Sequence, residues 1–103
     1  MTHSIDYLLN PKAIAVIGAS PQEGKAGNAI VTQLVRGNFR VFPVNARGGT
    51  ILDLPIYRSI LDVPETPDLA VLALPAAAAA GATLDCARRG VGAVIVVAGG
   101  FGE

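Results

Sequence analysis

The apolar positions of this chain fall into runs rather than alternations. Ala13–Gly18 (AIAVIG), Arg40–Val44 (RVFPV), Leu69–Leu74 (LAVLAL) and Ala93–Val97 (AVIVV) carry no charge apart from the leading arginine of the second. Strands buried on both faces of a parallel sheet have this signature, because neither face needs polar residues. Between the first two runs, Ile30, Val31, Leu34 and Val35 recur at i, i+1, i+4 and i+5, one face of a 3.6-residue helix. The spacing predicts a helix from Gly27 or Asn28 to Arg36, with Gly37-Asn38 as a left-handed stop. Pro43 has no donor for a ladder, which assigns the end of the second run to a sheet edge or to the strand's last turn. A further helix is predicted over Pro75–Arg89, with Pro75 in the first turn, Arg88 and Arg89 near its negative C-terminal end, and Gly90 as stop.

The remaining segments read as connections. Ser4–Asn10 suits a short helical turn ended by Asn10-Pro11. Asn45–Ile51 is a polar, glycine-bearing loop, Leu54–Tyr57 is extended or irregular, and Arg58–Leu61 suits one helical turn broken by Asp62 and Pro64. The order is β–α–β–(short α)–β–α–β. Short connections with right-handed crossovers then give an α/β, Rossmann-like three-layer domain whose parallel sheet has about four strands. Residues 1–103 are expected to form one domain. Because the chain stops just after the fourth predicted strand, a further helix and strand are expected beyond it, as in the N-terminal domain or a fragment of a longer protein.

Composition narrows the function classes. Hydrophobic residues make up 51% and aromatics 5%, so the core must be built from Ala, Val, Ile and Leu. The 8 basic residues balance the 8 acidic ones, and a net charge of +0 leaves no field to hold a nucleic acid. Cys86 is the single cysteine, which excludes an intrachain disulfide and a multi-cysteine metal site. MTHSIDYLLN contains Asp6 and no basic n-region, so it does not read as a secretory signal. The uncharged stretch Leu69–Leu84 contains Pro75 and falls short of the roughly 20 residues of a membrane span. The expectation is a soluble cytoplasmic protein with no nucleic-acid or membrane partner.

Unusual residues gather at the C-terminal ends of the predicted strands, where open α/β sheets bind ligands. They are Gly18-Ala19-Ser20-Pro21-Gln22-Glu23-Gly24-Lys25-Ala26-Gly27, then Asn45-Ala46-Arg47, then Pro75, then Ala98-Gly99-Gly100. The first departs from GxGxxG but still places a glycine-rich loop between a buried strand and a helix, the arrangement that cradles phosphate. Ser20 and Lys25 add a hydroxyl and a positive charge, whereas Glu23 would oppose a phosphate unless turned outward. The usual NAD-selecting acid is missing after the second strand, since no acid occurs until Asp53. Arg47 suits a phosphorylated ribose instead, which both NADP and coenzyme A carry. No catalytic constellation is present: His3 is the only histidine and has no neighbouring partner. Asp53, Asp62, Glu65, Asp68 and Asp85 read as turn, cap and solvent residues.

The segments IAVIGAS…GKAGNAI, VFPVNARGGTILDLPIYRSILDVPETPDLAVLALPA and GVGAVIVVAGGFGE resemble the CoA-binding domain of NDP-forming (ADP-forming) acyl-CoA synthetases, with the succinyl-CoA ligase alpha subunit more distantly similar. The resemblance runs from about Leu9 to Glu103. It implies that Gly18, Ala19, Ser20, Gln22, Glu23 and Gly24 surround the phosphates of coenzyme A, with Lys25 nearby. It further implies that Asn45 and Arg47 meet the ribose phosphate or the adenine edge, and that Leu74, Pro75 and Ala76 line the groove. Ala98 and Gly99 would face the pantetheine arm. In the family, acyl transfer passes through a phosphohistidine on a following domain. With no histidine beyond His3, this chain would bind CoA for ligase domains or a subunit supplied in cis or trans, and would be inactive alone. The same domain accompanies protein lysine acetyltransferases, so a non-catalytic nucleotide-sensing module remains an alternative, as does an NADP-binding redox domain. An apolar chain with an unpaired sheet edge also favours a homo-oligomer.

Overall fold

The computed structural model describes residues 10–97. A four-stranded, wholly parallel sheet carries the fold. Its strands are β1 (Ala13–Ile17), β2 (Arg40–Val44), β5 (Leu69–Leu72) and β6 (Ala93–Val96), with the short β3 (Thr50–Ile51) and β4 (Leu54–Pro55) outside it. The order across the sheet is β2-β1-β5-β6. Every residue of β1 is buried, as its uninterrupted apolar run predicts for a central strand. Helix α1 (Ala26–Arg36) covers one face, where Val31, Ile30, Leu34 and Val35 pack with Val16 and Val41. Helix α2 (Ala76–Arg89) covers the other, where Ala79 and Cys86 pack with Ala70 and Leu72. Full burial of a side chain such as Val31 contributes roughly 1.5–3 kcal/mol. The expected α/β, Rossmann-like architecture is the one observed.

β2 lies at the sheet edge, and the placement of Pro43 explains how. The Pro43 carbonyl accepts from the Tyr57 N–H at 2.9 Å, on the side away from β1, so the missing donor leaves the β1 ladder intact. A parallel bridge between Val44 and Tyr57 then caps that edge. At the base of the sheet the Asp68 carboxylate accepts from the backbone N–H groups of Lys12 and Ala13, at 2.6 and 3.3 Å.

Several boundaries differ from the sequence pattern for local reasons. α1 begins at Ala26, one residue early, with Lys25 in extended geometry before it. The left-handed residue closing α1 is Asn38, at φ 64°, while Gly37 keeps φ −81°. β5 ends at Leu72, and Pro75, at ψ 153°, precedes α2 instead of lying in its first turn. The helical turn expected at Arg58–Leu61 is a 3-10 turn at Ile60–Asp62, shifted because the Ser59 hydroxyl accepts from the Leu61 N–H at 3.1 Å. Residues placed in the polar and irregular connection form a hairpin, β3 (Thr50–Ile51) with β4 (Leu54–Pro55). Its turn residues Leu52 and Asp53 have φ of 50° and 65°. The expected turn at Ser4–Asn10 and the chain after Val97 fall largely outside the described residues.

Cys86 is fully buried, and that burial, reinforced by the negative charge of Asp85, raises its pKa to about 11 from 9.0. The folded chain therefore holds this proton more tightly than the unfolded chain. Its contribution to stability is complete below about pH 9 and is lost as pH rises toward about 11. A chemical-denaturation series from pH 8 to 11 is expected to show a steeper fall for the native chain than for Cys86→Ala. Parallel slopes would contradict the burial argument.

Candidate functional site

The sheet order makes a switch point at β1, whose chain departs to α1 on one face while β5 departs to α2 on the other. Crevices form at such points beyond the strand C-termini. The loop after β1 is drawn toward β2, because the N–H groups of Gly18 and Ala19 both donate to the Val44 carbonyl, at 2.9 and 3.1 Å. Gly18 adopts φ +96°, and a Cβ there would lie 2.3 Å from the Ala73 carbonyl oxygen. A Cβ on Gly27 would lie 1.9 Å from the carbonyl oxygen of Gly18. These two glycines thus let the ends of β1 and β5 and the start of α1 meet backbone to backbone.

Side-chain amides hold the loop from both sides. Asn28 donates to the Ser20 carbonyl at 3.0 Å, and Asn45 donates to the Ala19 carbonyl at 2.6 Å. The other end of the Asn45 amide accepts from the Arg47 N–H at 2.8 Å, so one side chain couples the loops after β1 and β2. The Ser20 hydroxyl accepts from the Gln22 N–H at 3.1 Å. α1 has no side-chain cap and no acid in its first turn, which leaves its positive end facing the loop. Gly24 would have open space around a Cβ, so the loop is uncrowded there.

Beside this loop lies a cavity of about 310 Å³. Its apolar wall comes from Ile17 and Val44 at the strand ends, Ile60 of the crossover, Leu74 after β5, and Ala82 of α2. Its polar groups are Asn45, Arg58, Ser59 and Asp85. Arg58 runs over the loop after β2: a Cβ on Gly48 would meet its Nε at 3.2 Å.

Of the residues expected from the sequence, Gly18, Asn45 and Leu74 line the cavity. Ala19, Ser20, Gln22, Glu23, Gly24 and Lys25 form the adjoining loop, where Glu23 is exposed. Arg47 is exposed on the loop after β2, and Pro75 and Ala76 are exposed where α2 begins. Ala98 and Gly99 lie outside the described residues. Asp85 is not simply a solvent residue, since it lines the cavity. Sequence pattern also missed Arg58, Ser59, Ile60 and Ala82 as wall residues. The available signal was helical spacing: Ala79, Ala82 and Cys86 mark the inward stripe of α2, and Asp85 borders it. Among the described residues no three His, Cys, Asp or Glu side chains are grouped to hold a metal. No described helix is long and apolar enough to cross a membrane.

A family model described as a CoA binding domain matches residues 12–103. ADP-forming acetate–CoA ligase I of Archaeoglobus fulgidus is 42% identical over 99 residues, covering 96% of this chain and 14% of that protein. The alpha subunit of ADP-forming acetate–CoA ligase I of Pyrococcus furiosus is 38% identical over 106 residues, covering 97% of this chain and 23% of the subunit. Among solved structures, a protein of Pyrococcus horikoshii OT3 superposes with a TM-score of 0.86 at 35% identity, over 96% of this chain and 23% of that one. A dinucleotide forming acetyl-coenzyme A synthetase 1 of Ca. Korarchaeum cryptofilum, in complex with phosphate and ADP, gives 0.79 at 35% identity, over 84% of this chain and 19% of that one. The chain thus spans less than a quarter of these relatives' length.

Proposed function

Because the chain belongs to the CoA-binding domain family, we propose that it holds coenzyme A by its 3′-phospho-ADP end, at the glycine-rich loop and the cavity beside it. The observation that carries this reading is their adjacency at the switch point: an apolar cavity of about 310 Å³ next to an uncapped helix start. Adenine fits between Ile60, Leu74 and Ala82, which offer apolar surface. The pyrophosphate lies along Gly18–Lys25, where backbone N–H groups and the positive end of α1 meet it. Arg47 and Arg58 bracket the ribose phosphate from the loop after β2 and from the crossover. The pantetheine arm then passes Pro75 and Ala76.

In this reading the chain acts by holding and orienting CoA. Acyl transfer belongs to further ligase domains or a subunit, in cis or trans, of an ADP-forming acyl-CoA synthetase. The named relatives, both ADP-forming acetate–CoA ligases, favour that setting over a fused acetyltransferase.

Calorimetric titration with CoA, dephospho-CoA and NADP tests the reading. CoA is expected to bind about tenfold more tightly than dephospho-CoA, the scale of one charge-assisted contact. Arg47→Ala is expected to remove most of that difference. Equal affinity of the native chain for CoA and dephospho-CoA would refute the role of Arg47, and tighter NADP binding would favour a redox domain.

A further inference from the structure

One group in the cavity wall has the wrong sign for a ligand rich in phosphate. Among the described lining residues Asp85 is the sole acid, and a carboxylate facing phosphates across a partly dehydrated site would weaken binding by repulsion. Its ion-pair partner Arg88 is 3.4 Å away along the helix surface, with the two side chains 41% and 64% exposed, so the pairing is too solvated to hide the charge. The cation in the same lining, Arg58, comes from the crossover and not from α2. A negative and a positive group, from different elements, thus line the same cavity.

The 3′-phospho-ADP end of CoA is itself divided. Its phosphates are anionic, while the exocyclic amino group of adenine is uncharged and donates hydrogen bonds. With phosphates at the glycine-rich loop and Arg58, the base enters against Ile60, Leu74 and Ala82, and Ala82 sits one helical turn before Asp85. The amino edge is then the part of the ligand that can face a carboxylate without repulsion. We infer that Asp85 selects the base: its carboxylate accepts a hydrogen bond from the amino group of adenine and disfavours purines lacking that donor. The inference rests on the CoA reading above.

The test is a titration of the native chain and of Asp85→Ala, each with CoA and with a CoA analogue carrying unsubstituted purine in place of adenine. Alanine suits the helix interior, so the variant is expected to fold. The native chain is expected to bind CoA about tenfold more tightly than the analogue, because the analogue leaves a charged acceptor unpaired. Asp85→Ala is expected to bind the two within about twofold, and taking the ratio cancels any uniform gain from removing a negative charge. Equal binding of both ligands by the native chain, or an undiminished preference in Asp85→Ala, overturns the role of Asp85 and leaves the CoA reading standing. Failure of the folded native chain to bind either ligand overturns both.

Discussion

Gly27→Ala is expected to destabilise the domain by about 3 kcal/mol or more and to abolish measurable CoA binding. The added Cβ would lie 1.9 Å from the Gly18 carbonyl oxygen, and its next neighbours are the Gly18 carbonyl carbon and the Ala19 Cα, at 2.8 and 3.0 Å. All three are backbone atoms, so no side chain can swing aside. Relief requires α1 to move away from the end of β1. That movement breaks the packing of Val31 on Val16 and Val41 and pulls Asn28 off the Ser20 carbonyl. Urea unfolding followed by circular dichroism would measure the loss. A Gly27→Ala chain as stable as the native one would show that α1 tolerates a wider spacing than described.

Gly18→Ala combines two penalties and is expected to be at least as damaging, about 4 kcal/mol. The residue adopts φ +96°, where a side chain is strained by roughly 1–3 kcal/mol even in open space. The space is also closed, since the Cβ would fall 2.3 Å from the Ala73 carbonyl oxygen. Relaxation would separate the loop from the end of β5, whose Ala73 N–H bonds to the Ile17 carbonyl at 2.8 Å. Against a typical domain stability of about 5–15 kcal/mol, this single methyl removes much of the margin. Gly24→Ala is the control: it shares a positive φ, at +93°, but nothing lies within 4 Å. It is expected to show the conformational penalty alone, and equal losses at the two positions would refute the close-approach argument for Gly18.

The sheet was legible because its strands are apolar runs bounded by turn residues. Ala13–Ile17 needed no tertiary information to be recognised as a central strand, and of the two readings Pro43 allowed, a sheet edge or the strand's last turn, the edge is the one found. The hairpin was not legible, because its turn is Leu52-Asp53 where such turns favour Asn-Gly or Asp-Gly. The 3-10 turn moved because one hydroxyl, that of Ser59, fixed where it starts. The glycine-rich loop between β1 and α1, the segment proposed to meet phosphate, could be located from local sequence alone. The cavity could not, because Ile60, Ala82 and Asp85 come from a crossover and a helix and meet only after folding. Asn45 shows the limit most directly. As an amide after β2 it reads as a ligand contact, yet its amide group already bonds the Ala19 carbonyl and the Arg47 N–H. It positions the loop whatever else it touches.

Coenzyme A is expected to occupy the C-terminal end of the sheet, with its phosphates on the first loop and its base in the adjoining cavity. Amide chemical-shift mapping tests this most directly, because every backbone N–H of the loop reports separately. On titration with CoA, the signals of Gly18–Lys25, Asn45–Arg47 and Leu74 with Ala76 are expected to move in a saturable manner. Those of Asp68 and Lys12, at the opposite end of the sheet, should stay fixed. Saturable shifts confined to any other surface, or none from a folded sample at millimolar CoA, would rule out coenzyme A at this end of the sheet.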